Sequence, residues 1–294
     1  MIYDVSHRTT YRYSIPVSFS HHLLHLTPRA VDRQLCHRTV LSVSPTPSRH
    51  VAAKDYFGNP VTFITLQEQH TELLLFARSS IEVYPAPALD PEMTMPWDEV
   101  YPQLWDDRSA EGMDAIQYVF DSPFTQVTAP VEDLARDLFP PGRPVLAAAL
   151  ALTQRIHDTF VYDPTATTVS TPVDEVFSAR RGVCQDFAHL QIACLRAMKV
   201  PARYVSGYLQ TRPPAGRERL VGADVSHAWL AVWCPPLGWV DLDPTNNLVV
   251  SDEHITLAWG RDYGDVSPVN GAIFGGGAHT IAVSVEVTPL ADDG

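Results

Sequence analysis

Residues Ser226 to Asn246 read SHAWLAVWCPPLGWVDLDPTN, two apolar extended runs separated by Cys234-Pro-Pro-Leu-Gly238. Prolines and a glycine between β-branched and aromatic residues are turn chemistry flanked by strands, so a β-hairpin is predicted. If the turn centres on Pro235, His227 and Asp243 stand opposite one another on the same face, where a carboxylate can accept an imidazole N–H. Asp241 shares that face, and a register shift of two residues promotes it instead; the spacing admits both carboxylates. Trp229, on the same strand face as His227, is a candidate substrate-binding residue lining an acyl groove, although an aromatic beside a sheet is more often core.

Upstream of the hairpin, Cys184 to Met198 (CQDFAHLQIACLRAM) carries a helical pattern stopped by Lys199-Val-Pro201. Before it, Thr171-Pro-Val-Asp174 predicts the start of a short helix that Gly182 ends. Cys184 therefore sits at a helix N-terminus. There the unpaired N–H groups and the positive end of the dipole favour a thiolate and can stabilise an oxyanion. Cys194, deep in LQIACLRA, has the pattern of an ordinary buried cysteine. Asp186, two residues past Cys184, either caps the helix start or steers an amine substrate. A thiolate, a base that also protonates the leaving amine, and an acid group that fixes the tautomer are the three parts of nucleophilic acyl transfer.

The rest of the composition narrows the field. Of 294 residues, 45% are hydrophobic and 19% charged, which is globular composition. A formal charge of −13 with no Lys/Arg-rich run argues against a nucleic-acid partner. The N-terminal stretch MIYDVSHRTTYRYS has no signal-peptide pattern, and the longest apolar run, Val145 to Leu152, is too short to span a bilayer, so a cytoplasmic chain with no membrane partner is expected. Cys36, Cys184, Cys194 and Cys234 lie far apart without CxxC spacing, which predicts neither a disulfide framework nor a zinc knuckle. His21, His22 and His25 crowd together, yet no Cys or carboxylate joins them at ligand spacing, and no metal or other cofactor is expected.

Tyr3, Val5, His7, Thr9, Tyr11 and Tyr13 alternate with polar residues, and further strand-like runs lie around 40–43, 61–66 and 72–83. Residues 1–85 thus read as an antiparallel β domain. Prolines 85, 87, 91, 96 and 102 mark residues 86–109 as a connector unable to hold a helix. Residues 110–294 form a second domain, with helical periods at about 110–120, 130–138 and 144–159. Its three strands, around 202–209, 226–233 and 239–243, are followed by a last strand carrying Ile281, Val283, Val285 and Val287. The predicted class is α+β.

Taken in order, RRGVCQDFAHL, VPARYVSGYL, SHAWLAVW and GWVDLDPTN closely resemble the catalytic core of bacterial transglutaminase-like proteins, over a region from Thr171 to Gly271. The first 85 residues resemble the β-rich region that often precedes that core. The resemblance implies a triad of Cys184, His227 and Asp243, favouring Asp243 over Asp241. It also implies a papain-like core, with a helix-borne cysteine packed on an antiparallel sheet that supplies histidine and aspartate. The implied reaction is acyl transfer from a glutamine side chain or peptide amide of a protein or peptide substrate, through a thioester, to a primary amine or water. Two alternatives stand beside it: a cysteine peptidase or amidase using only water, and a non-catalytic peptide-binding protein. No acidic loop resembles an EF-hand, so a calcium requirement is not expected. The segment GRDYGDV also resembles the family without disclosing a role, and oligomeric state is not encoded in any of these patterns.

Overall fold

The structure, a computed structural model, describes residues 1–210 and 226–290. The inward alternation of Tyr3, Val5, His7 and Thr9 makes β1 (Ile2–Leu24) a half-buried strand. With β2 (Gln34–Ser44), β3 (Arg49–Lys54), β4 (Pro60–Leu66) and β5 (His70–Val83) it forms an antiparallel sheet in the order β2-β5-β1-β4-β3.

Helices follow. α1 (Trp97–Asp106) lies inside the segment read above as a connector, which corrects that expectation. Pro96 sits just ahead of the first turn, where a missing donor is harmless, but Pro102 is interior and costs about 3 kcal/mol. Burying Val100 and Leu104, at about 1.5–3 kcal/mol each, offsets it. α2 (Ala110–Ile116), α3 (Ala129–Arg136) and α4 (Val145–Thr159) occupy the segments with helical period, α4 packed inside the core. β6 (Val161–Tyr162) pairs in parallel with a later two-residue strand, β7 (Arg181–Gly182). Between them lies α5 (Val173–Ala179), which ends at Arg180 in the left-handed region (φ 53) rather than at Gly182.

α6 (Cys184–Ala197) packs on a second antiparallel sheet. That sheet contains β8 (Ala202–Leu209), β9 (His227–Trp233), β10 (Trp239–Asp243), β11 (Leu248–Val249) and β12 (His254–Gly260), in the order β11-β10-β9-β8-β12. One turn of helix, α7 (Tyr263–Val266), leads to β13 (Val269–Gly275) and β14 (His279–Leu290). These last two strands pair with β1, so the C-terminal strand completes the N-terminal sheet and is not part of the second domain. The physical reason is length: β1 has 23 residues, and its two halves need different neighbours on each side. Residues 2–12 run between β5 and β14, and residues 20–24 between β4 and β13. Among the described residues no helix is long and apolar enough to cross a membrane.

The two sheets share one core. Tyr3, Val5, Ile81 and Val83 of the first sheet cluster with Leu152, Phe187, Leu190 and Leu230 of the helices and second sheet. At the seam, β12 is an edge strand whose free backbone groups are taken by side-chain amides. Gln34 Oε1 accepts from Thr256 N (2.8 Å) while its Nε2 donates to Thr256 O (2.8 Å). Asn59 does the same at Trp259, accepting from N (3.0 Å) and donating to O (2.8 Å). Each amide mimics the peptide group of a missing neighbouring strand. Replacing Gln34 by Met leaves Thr256 N without this partner and Thr256 O with the 3.3 Å bond from Arg29 N, so urea unfolding should show a loss of about 1–2 kcal/mol; an unchanged midpoint would mean that water serves the edge equally well.

Candidate active site

Cys184 is the first residue of α6, at the end of the helix that reaches the strand carrying His227. The turn before it is held by Asp186, whose Oδ2 accepts from Val183 N (2.8 Å) and from the Thr167 hydroxyl (2.6 Å). Asp186 is 2% exposed. Of its two sequence readings, the structure supports the cap and not a carboxylate presented to a substrate: both contacts turn inward. Burial raises its pKa, and the Thr167 and Val183 bonds pull it back. Gly182 is required by the same packing, since a Cβ there would stand 2.7 Å from Asp186 Oδ2 and 2.9 Å from its Cβ.

The other end of α6 is fixed by Arg196, 1% exposed. Its guanidinium donates to the carbonyls of Tyr118 (2.9 Å), Ala202 (2.9 Å) and Arg261 (2.7 Å) and to the Ser122 and Thr125 hydroxyls. GRDYGDV here acquires a role. Asp262 caps α7 through Gly264 N (2.8 Å), Asp265 clamps the Arg261 side chain (2.9 Å), and Tyr263 N donates to Nε2 of His189 on α6 (3.1 Å). Burial lowers His189 to about 3, which keeps its ring a neutral acceptor for that bond.

The hairpin forms, but its register differs from the expected one. Cys234 N donates to Gly238 O (2.8 Å), so the turn centres on Pro236, with Trp239 opposite Trp233 and Leu242 opposite Leu230. Continued, that register sets Asp243 across from Trp229. Because the shift is two residues, an even number, Asp243 stays on the face of His227 and reaches it diagonally. His227 Nε2 lies 2.8 Å from Asp243 Oδ2, both side chains fully enclosed. Asp241 is one position closer to the turn on that face and makes no hydrogen bond with the imidazole among the described residues.

Asp243 gathers more than His227. Oδ1 accepts from Thr245 N (2.9 Å) and Asn246 N (3.3 Å), and Oδ2 also accepts from Asn246 Nδ2 (2.7 Å) and stands 3.1 Å from His254 Nε2. Burial opposes the negative charge, but the charge and hydrogen bonds of His227 and then His254 hold the carboxyl well below the usual range. The two imidazoles then diverge. His227 is penalised by burial, yet Asp243 and the Cys184 thiol outweigh that penalty and push it up to about 10. His254 has its pKa lowered, because burial outweighs Asp243 and the His227 charge adds to it. The ring beside the thiol is favoured as the cation, and the other as a neutral Nε2–H donor. His227 Nδ1, the nitrogen not used by Asp243, makes no hydrogen bond within ordinary limits, though the thiol is near enough to raise the ring.

His254 was not singled out in the sequence. It opens β12, which β8 separates from β9 in the sheet, and nothing in DEHITLAWG ties it to the hairpin. Trp229 needs correcting as a groove residue: it is 0% exposed. Its ring packs on His227 (centroids 6.1 Å, 30°) and edge-on to His254 (5.1 Å, 84°), filling space that a Cβ on Gly207 would close. Trp229 therefore holds the two imidazoles apart and in place.

Among the described residues, His227, Asp243 and His254 are the group whose ligand-type atoms lie close enough together for an ion. Their separations of 2.8 and 3.1 Å are accounted for by two N–H···O bonds, in which the donors are used on one another. His21, His22 and His25 are dispersed: His21 contacts the Thr65 hydroxyl, His25 contacts Ser267 O and Asp55, and buried His22 is lowered to about 4. The described cysteines are all free thiols, with Cys194 donating to Val131 O from inside the core.

Comparison with known proteins agrees with this architecture. Residues 3–82 match the bacterial transglutaminase-like N-terminal region, and residues 132–244, which contain Cys184, His227 and Asp243, match the transglutaminase-like superfamily. An uncharacterized protein of Mycobacterium tuberculosis is 38% identical over 299 residues, spanning 99% of this chain and 94% of that one. The protein-glutamine gamma-glutamyltransferase of Pseudomonas aeruginosa is 40% identical over 103 residues, which is 34% of this chain and 15% of that protein. The fold is shared with a candidate cysteine protease from Cytophaga hutchinsonii, with a TM-score of 0.72 over 99% of this chain and 91% of that one at 22% identity. With the N-terminal region and the core both matched, in this order, on a helix-borne cysteine set against a histidine-bearing sheet, the chain belongs to the bacterial transglutaminase-like proteins and has the architecture of a cysteine-based enzyme.

Proposed function

We propose that the protein is an acyl-transfer enzyme that forms a thioester at Cys184 from glutamine side-chain or peptide amides and passes the acyl group to a primary amine or to water. The observation that carries this reading is the enclosed His227–Asp243 pair, Nε2 to Oδ2 2.8 Å with Nδ1 left unpaired, on the strand against which the helix begun by Cys184 packs. The local similarity to the Pseudomonas aeruginosa gamma-glutamyltransferase supports the glutamine amide as donor.

In this reading the thiolate attacks the amide carbon, and the N–H groups of the first turn of α6 receive the developing oxyanion. The C–N bond breaks as His227 gives its Nδ1 proton to the leaving nitrogen, which departs as ammonia or an amine. The neutral imidazole then takes a proton from the incoming amine or water as that nucleophile attacks the thioester. Cleavage of the C–S bond returns the thiolate and the imidazolium. Asp243 keeps Nε2 protonated throughout, so the exchangeable proton is always the one facing the sulfur. His254 acts as a positioning residue that holds Asp243 from the side away from the thiol. Hydrolysis alone differs only in the acceptor, so the two reactions share every residue named here.

Iodoacetamide labelling followed by mass spectrometry should find Cys184 alkylated at neutral pH about tenfold or more faster than Cys36, with the advantage lost in His227→Ala. Equal rates at the two cysteines, unaffected by the substitution, would remove the catalytic reading and leave a peptide-binding protein.

Stability should follow the histidine. Its value in the fold lies above the ordinary 6.5, so its protonation contributes stability that is complete below pH 6.5 and is lost as pH rises toward about 10. Urea midpoints of the wild type should decline over that window, and less steeply in Cys184→Ala, which lacks one of the groups raising the ring. Parallel declines in the two proteins would show that the thiol and imidazole do not interact.

A short glutamine-containing peptide incubated with enzyme should release ammonia, and with an added primary amine should also give the amine adduct. Ammonia without adduct at saturating amine would assign the water-only reaction.

A further inference from the structure

Between the second sheet, the loop at residues 30–33, the segment at 86–89 and the start of α2 lies a cavity of about 1010 Å³, and none of Cys184, His227 or Asp243 lines it. Its polar end is built on one row of the sheet. Arg203 of β8 pairs with Ala231 of β9, and Ala231 with Asp241 of β10, so a guanidinium and a carboxylate flank a methyl group on the same face. Both charged residues line the cavity.

Arg203 is 7% exposed, and its guanidinium carbon lies 3.7 Å from the Trp259 ring centre and 4.3 Å from that of Trp239. Indole rings take the faces of a guanidinium and leave its in-plane N–H groups pointing outward. Here those edges lack acceptors: among the described residues Arg203 makes no side-chain hydrogen bond or ion pair, and Nε is buried without a partner. A fixed fork of donors, its Nε desolvated and unserved, is an arrangement suited to a carboxylate. The charge persists, since burial lowers this arginine only to about 10, with Asp241 and Asp114 supporting it.

Asp241 is the complementary half. Burial raises its carboxyl, while Arg203, Arg33 and the Trp229 indole N–H favour the charged form. It forms no direct ion pair with Arg203 among the described residues, so the opposite charges remain apart across Ala231. Its lining also includes the apolar side chains of Trp233, Pro236, Leu237 and Val249. A simple anion would meet Asp32, Glu111, Asp114 and Asp241 there against two arginines, whereas a net-neutral ligand carrying both charges would not be repelled.

We propose that this cavity binds a small zwitterion, an α-amino acid with an apolar side chain, its carboxylate on Arg203, its ammonium toward Asp241 and its side chain among Trp233, Leu237 and Val249. The site is independent of the thioester reading, and its occupancy does not require an active Cys184.

Tryptophan fluorescence of the full chain, titrated with L-leucine, 4-methylpentanoate and 3-methylbutylamine, tests the assignment because Trp233, Trp239 and Trp259 all line the cavity. L-leucine should give a saturable change below about 10 mM, tighter by about tenfold or more than either probe carrying one charge. Arg203→Met should weaken L-leucine by about tenfold or more, and the near-isosteric Asp241→Asn by about fivefold, while Cys184→Ala should bind as the wild type does. No saturable response of the wild type over that range would overturn the proposal, as would equal binding of 4-methylpentanoate. Since both comparisons use the wild type, the outcome stands even if Arg203→Met fails to fold. Loss of binding in Cys184→Ala would place the ligand in the thiol site instead and equally overturn the assignment.

Discussion

Everything about the thiol site depends on α6 being buried on nearly all sides, from Phe187 to Arg196. A helix enclosed in this way cannot slide or rotate without breaking packing against both α3 and the sheet, so the position of its first residue is decided by the whole core. Polar devices at its two ends remove the remaining freedom. Asp186 and Gly182 set the approach to Cys184, and Arg196 ties the far end to three carbonyls, two of them, Tyr118 and Arg261, from distant parts of the chain. A buried guanidinium is costly to desolvate, and what makes it tolerable is that each donor direction is used.

Around Asp243 the same low-dielectric setting separates two chemically identical rings. Both His227 and His254 point Nε2 at one oxygen, and both are enclosed. One carboxylate cannot offset the burial of two imidazolium ions that also repel one another, so only one ring gains the proton. The thiol decides which, because it lies beside His227. Trp229, packed against both rings, preserves the separation on which that asymmetry depends.

The N-terminal sheet is structurally continuous with the core that carries Cys184 and Leu230. Gln34 and Asn59 act as side-chain substitutes for a further strand along β12, and the hydrophobic core is continuous through the seam. The cavity with Arg203 is enclosed by the second sheet, the 30–33 loop, the 86–89 segment and α2.

Local periodicity was enough to place β1, β2, β4 and β5, the helices α2 to α6, the thiol at a helix start and the hairpin carrying His227 and Asp243, but not β3, β13 or the single turn of α7. Each of these depends on residues near one another in the chain, whose spacing matches a repeat of 3.6 or 2. Only the tertiary structure decided what depends on distant neighbours. The hairpin register moved by two because the turn settled on Pro236, and an even shift preserved the face while changing the partner. Trp229 became core because other aromatic side chains closed over it, and α1 formed through its prolines because Val100 and Leu104 found a core. β14 joined the first sheet because β1 offered an unpaired side, and His254 reached Asp243 from an edge strand that no sequence spacing links to the hairpin. Sequence pattern determines which face of an element is apolar, whereas the partner met by that face is a property of the assembled chain.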